Sequence, residues 1–115
     1  MHASRYLVRF CGVYYVTKGY RLSRYDPTLA VVKKPDEGFD GMLHGEWAVL
    51  DVASGILLIC GRTKKSVKSK WDREYLHNVN RLRNLRSLPS YRNKVMDTLS
   101  EVTRIRESGK EIRYV

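Results

Sequence analysis

The chain has 115 residues, 43% of them apolar, and a formal charge of +10 from 22 basic and 12 acidic side chains. That length fits one domain, residues 1–115, with a modest core, and the apolar content is too high for a disordered tail. No apolar run is long enough to span a membrane, and the N-terminal stretch lacks the flanks of a signal peptide, so the expected location is the cytoplasm.

In chain order, the first half, 1–61, reads mainly as strands. RYLVRFCGVYYVT (5–17) is rich in Val, Phe and Tyr, and Gly12 inside it predicts a bulge or bend. TKGY predicts a turn at Gly19, and Asp26-Pro27 predicts another before a short strand at 29–34. Residues 34–45 read as a loop with one Pro, three Gly and three acids. EWAVLDV (46–52) and GILLICG (55–61) read as a β-hairpin turning at Ala53-Ser54-Gly55. Their almost continuous apolar character predicts a central hairpin covered on one face by helices. Cys11 and Cys60 fall in apolar runs, which predicts two buried, reduced thiols and no metal signature.

Residues 63–108 switch to helical period. Thr63 is a candidate N-cap. Val67, Trp71, Tyr75, Val79, Leu82 and Leu85 recur three and four apart, predicting one helix to Pro89 with Trp71 docked on the hairpin. Ser90 opens a second helix with the stripe Tyr91, Val95, Leu99, Val102 and Ile105, and Gly109 ends it. EIRYV (111–115) reads as a short edge strand. The fold class expected is α+β: an antiparallel sheet of three to five strands followed by two antiparallel helices packed on one face.

The charge is concentrated. Residues 62–86 hold nine Lys or Arg against two carboxylates. With about 100° per residue, Lys70, Arg73, His77, Asn80, Arg81 and Asn84 fall within roughly 220–320° of Val67, opposite the apolar stripe at roughly 0–120°. A solvated helix usually mixes signs, because Glu and Lys four apart stabilise each other. A one-sign face with Asn and His among the cations suits phosphate oxygens and base edges, the alternative being a solvated basic face. Arg62, Lys64 and Lys65 stand at the helix start, either as a phosphate clamp on free amides or as solvated loop cations. A second candidate region interleaves Tyr14, Tyr15, Tyr20 and Tyr25 with Lys18, Arg21 and Arg24, as base-stacking surfaces do, although tyrosine is also simply a good strand former.

Catalysis is not expected. The three histidines are scattered, and no nucleophile motif, phosphate-binding loop or zinc motif is present. The acids Asp36, Glu37, Asp40 and Glu46 read as a solvated loop, with Mg²⁺ binding the alternative. No cofactor is expected, and the basic helix lacks the broad exposed apolar face that membrane binding needs.

GVYYV (12–16) resembles the opening strand of the GIY-YIG nucleases, whose second motif is missing here, since residues 20–24 read YRLSR. WAVLDVASGILLICGRTKKSVKSKW (47–71) resembles the hairpin-then-helix of recombinase arm-type DNA-binding domains through Gly55, Thr63, Lys64, Lys65 and Trp71. Those domains expose polar and basic residues on the sheet, whereas ILLIC is apolar, so the resemblance implies DNA contact through the helix. The whole chain is also similar to small accessory proteins of phages and mobile elements, including anti-CRISPR inhibitors, which would place it in a host cytosol. The expected function is non-enzymatic binding of nucleic acid (DNA or RNA) or a nucleoprotein complex through the basic helix. The alternative is inhibition of a host defence protein by protein–protein contact.

Overall fold

A computed structural model describes residues 3–35 and 46–115. Five strands come first: β1 (Ser4–Phe10), β2 (Val13–Ser23), β3 (Asp26–Lys33), β4 (Trp47–Asp51) and β5 (Ile56–Gly61). Three helices follow: α1 (Lys64–Arg73), α2 (Tyr75–Ser87) and α3 (Tyr91–Glu107). The strands form one antiparallel sheet in chain order, which gives an α+β fold with one helix more than the sequence pattern predicts.

The run 5–17 is two strands, not one bent strand. Cys11 and Gly12 both have positive φ (51° and 77°), the geometry of a tight hairpin turn whose twist matches the flanking strands. Cys11 is therefore exposed at a turn tip, and Cys60 is half-buried, so the expectation of two buried thiols fails. No turn occurs at Gly19. It lies inside β2, where a Cβ would come within 2.7 Å of the Val31 carbonyl oxygen, so its small size serves close strand packing. The turn before β3 is Arg24-Tyr25, and Asp26-Pro27 opens the strand. The loop read at 34–45, with Asp36, Glu37 and Asp40, lies almost wholly outside the described residues.

The β4–β5 hairpin ends the strand order, with β3 in the middle, so it is not central as expected. The sheet curls until its two ends meet. The Arg9 amide donates to the Gly55 carbonyl at 2.7 Å, and β1 touches β5. Gly55 has φ +74°, and a Cβ there would sit 3.2 Å from the Arg9 nitrogen, so both turn geometry and strand approach call for glycine. The inner face of the curl is filled by Tyr6, Val8, Ala30, Val32, Ala48, Leu50 and Val52. On the outer face, Leu29, Val31, Val49 and Ile59 pack with Val67 and Trp71 of α1 and Leu82 of α2. Leu7, on the same outer face, packs with Val102 and Ile105 of α3 and with Ile112.

The helical run 63–88 is interrupted at Glu74 (φ −108°, ψ 33°). Tyr75, expected in the apolar stripe, is 55% exposed, and Asn78 is buried in its stead, its Nδ2 donating to the Trp71 carbonyl at 3.1 Å. Leu88, extended as the residue before Pro89, ends α2. Ser90 occupies the N-cap position of α3 without a side-chain bond, and Gly109 ends α3 with φ +87°. Thr98 is buried on α3 and Leu99 is exposed, so the buried face of α3 is rotated by one residue from the predicted stripe at that turn. Residues 111–115 form no strand, although the Arg113 amide donates to the Arg5 carbonyl at 2.7 Å.

Candidate nucleic-acid interface

α1 begins directly after β5 because Thr63 caps it. Thr63 Oγ1 accepts from the Ser66 amide, and Ser66 Oγ accepts from the Thr63 amide, both at 3.0 Å. This reciprocal cap uses one of the amides a phosphate clamp would need. Lys64 and Lys65 do not act as a pair either, since they lie on different sides of the helix. Lys64 turns toward the sheet, its Nζ 4.0 Å from the centroid of the Tyr20 ring, a close cation–π contact. Tyr20 in turn lies 6.3 Å from the Trp47 ring at a 30° tilt. Lys65 instead lines a shallow groove of about 480 Å³ together with Thr63, Ser66, Ser69, Lys70 and Arg73.

The predicted stripe is solvent-facing. Arg73, His77, Asn80, Arg81 and Asn84 are exposed, as is Arg62, and Lys70 is half-buried. The break at Glu74 divides the stripe, leaving Lys70 and Arg73 on α1 and the other four residues on α2. The aromatic–basic segment is divided more sharply. Lys18 and Tyr20 share the helix-covered face of β2, and strand alternation sends Arg21 to the other face. Arg24 sits in the next turn, its guanidinium 4.9 Å from the centroid of the exposed Tyr25 ring. The structure thus joins Tyr20 to Lys64 and leaves Arg21 and Arg24 elsewhere.

Of the nine Lys and Arg in 62–86, Arg86 is the one with an ion pair among the described residues. Asp72 and Glu74, on the same helical run, make no ion pair among the described residues and are exposed. Arg86 differs because it reaches inward to Asp51, a fully buried carboxylate at the end of β4, at 2.9 Å. Asp51 also accepts from Ser54 Oγ at 2.6 Å and from the Tyr91 hydroxyl at 2.7 Å. Burial favours loss of the Arg86 proton, but the hydrogen bond to Asp51, the charge of Asp51 and the neighbouring Tyr91 together outweigh it and hold the pKa above the usual value. Burial, then the bond to Asp51, pushes Tyr91 up to about 12. This network fastens the hairpin turn to α2 and α3.

Sequence reasoning missed Lys68, half-buried on the helix flank nearest Lys64, and Arg5, which the strand register sets opposite Lys18. Among the described residues no three His, Cys, Asp or Glu side chains gather as a metal site, and no helix is long and apolar enough to cross a membrane. Compared with protein-family models, curated proteins and solved structures, the chain matches none.

Proposed function

We propose that the protein binds nucleic acid, alone or within a nucleoprotein complex, through the cationic surface of α1 and α2, and that it acts by binding, not catalysis. The observation that carries this reading is the set of eight Lys and Arg in 62–86 that lack a carboxylate partner among the described residues. Like charges clustered on one helical surface cost stability, and phosphates lying against them relieve that cost. Lys65, Lys70, Arg73 and Arg81 supply phosphate donors, and His77, Asn80 and Asn84 supply hydrogen-bonding groups among them.

The test is a titration on random-sequence duplex and single-stranded oligonucleotides at several salt concentrations. The logarithm of the binding constant falls with the logarithm of salt by about 0.9 per phosphate contact on duplex, or about 0.7 on a single strand. Three to five contacts give a slope of roughly −2 to −5. Absence of binding at low salt removes the reading. The exposed apolar side chains Leu76, Met96 and Leu99 on α2 and α3 favour a second reading, inhibition of a host defence protein by direct contact. A partner captured from lysate after nuclease treatment, and lost when these side chains are changed, selects that reading.

A further inference from the structure

β1 and β2 send alternate residues to the helix-covered face: Arg5 and Leu7 from one strand, Val16, Lys18 and Tyr20 from the other. α3 covers Leu7, and Lys64 of α1 covers Tyr20. Between these two covers the sheet lies open. Val16 is 46% exposed, and Arg5 and Lys18 are exposed. Arg5 and Lys18 stand directly opposite each other in the register, and like charges opposed on one sheet face are destabilising.

The C-terminal segment brings more positive charge to the same place. The bond from the Arg113 amide to the Arg5 carbonyl holds it along β1. Arg5, Lys18, Arg106, Lys110 and Arg113 line a groove of about 1060 Å³, in which Glu111 is the one carboxylate among the lining residues. Two of these cations are fixed in place. Arg106 Nη2 donates to the Ile112 carbonyl at 3.0 Å, and Arg113 Nε donates to Ser4 Oγ at 3.2 Å. Arg5, Lys18 and Lys110 have no side-chain partner among the described residues.

We infer that this groove is a second phosphate seat, one that takes the backbone of single-stranded nucleic acid laid across β2. The inference rests on the nucleic-acid reading above and adds to it a site and a substrate class. Two residues along β2 from Lys18, about 7 Å away, Tyr20 leads toward Lys64 and the cations of α1. Val16 and the exposed part of Tyr20 flank Lys18 on one face and give apolar surface to bases, while the cations track the phosphates. Cations beside aromatic and apolar contacts are how single strands are held without sequence preference. A duplex keeps its bases stacked inside and presents a stiff, convex backbone, which suits a recess between the β1–β2 face and the segment after α3 poorly.

The experiment compares the parent with Arg5→Ser/Lys18→Ser and with Lys110→Ser. Each is titrated with an oligothymidylate and with a duplex of equal length at several salt concentrations, and folding is verified by far-UV circular dichroism. The parent binds the single strand more tightly. The double variant loses about tenfold in single-strand affinity at 0.1 M salt, and its salt slope flattens by about 1.4, two phosphates' worth. Lys110→Ser flattens it by about 0.7. A parent that binds while the double variant keeps its affinity and slope shows that the groove is not a seat. A parent that binds duplex as tightly as single strand overturns the substrate class. A parent that binds neither removes the nucleic-acid reading itself.

Discussion

Arg86 and Arg73 belong to one basic run, yet the fold treats them as different materials. Arg86 reaches a buried carboxylate that also accepts from the Ser54 and Tyr91 hydroxyls, and this pairing ties the β4–β5 turn to the ends of two helices. Arg73 stands exposed beside a groove whose lining residues include no carboxylate, and it makes no ion pair among the described residues. A run of cations can therefore carry a structural charge and a surface charge side by side. Composition cannot separate them, because the difference lies in whether a partner sits across the fold. Structural charges should answer in stability, and surface charges in ligand binding and its salt dependence.

The largest effect is expected where one residue supports both regions. Trp71 is 4% exposed and fills the space between α1 and the sheet, beneath the cationic surface. Trp71→Ala should lower stability by about 3–5 kcal/mol, enough to leave little folded protein. Urea denaturation followed by circular dichroism measures this. A variant that unfolds at the parent's midpoint would place Trp71 outside the core and break the link between the two regions.

Next is the structural charge itself. Arg86→Met leaves Asp51 buried with Ser54 and Tyr91 as its side-chain donors among the described residues, and removing one partner of a buried pair typically costs about 3 kcal/mol or more. The same variant should leave the salt slope of oligonucleotide binding unchanged, because the Arg86 guanidinium is engaged by Asp51. A flattened slope in a still-folded Arg86→Met protein would show that the division between structural and surface charge is drawn in the wrong place.

Tyr91 tests the network by pH. Its folded pKa of about 12 lies above the ordinary value of about 10, so the folded state holds the phenolic proton more tightly than the unfolded chain does. That contribution is fully present below about pH 10 and is lost as pH rises from about 10 to about 12. Tyr91→Phe should cost about 1–2 kcal/mol near neutral pH through the lost bond to Asp51 and should shrink the alkaline decline. Tyr6 and Tyr114 are also pushed up by burial, so part of the decline remains. An alkaline unfolding curve identical to the parent's would remove Tyr91 from the network.

Much of the fold was legible from period and punctuation. The two runs of the last hairpin, the Thr63 cap, the end of α2 before Pro89 and the stop at Gly109 each follow from local chemistry that the tertiary structure leaves intact. What was lost depended on register. Read as a hairpin turn, Cys11-Gly12 sets Arg5 opposite Lys18 by counting outward, so the signal for the second groove was present and was spent on a bulge. The break at Glu74 had no such signal. The apolar stripe runs through it unbroken, with no Gly or Pro, and the buried amide of Asn78 on the Trp71 carbonyl is a tertiary fact. The pairing of Arg86 with Asp51 was equally invisible, because nothing local tells one arginine in a basic run from the next.

The smallest effect on stability is expected on the surface. Lys70 and Arg73 make no ion pair among the described residues, so Lys70→Ala/Arg73→Ala should change stability by no more than about 0.5 kcal/mol. Relief of like-charge repulsion offsets whatever packing the lysine stem provides. Binding should respond instead. Two lost phosphate contacts flatten the salt slope by about 1.8 on duplex or about 1.4 on a single strand, and they weaken all sequences alike, because phosphates carry no base identity. An anchor for a protein partner behaves differently: its removal abolishes capture of one partner and leaves the shallow salt dependence of that contact nearly unchanged. Full salt dependence in the double variant would show that these two side chains meet solvent and not phosphate, and the eight unpaired cations would then have to be divided again, residue by residue, into those that bind and those that are merely hydrated.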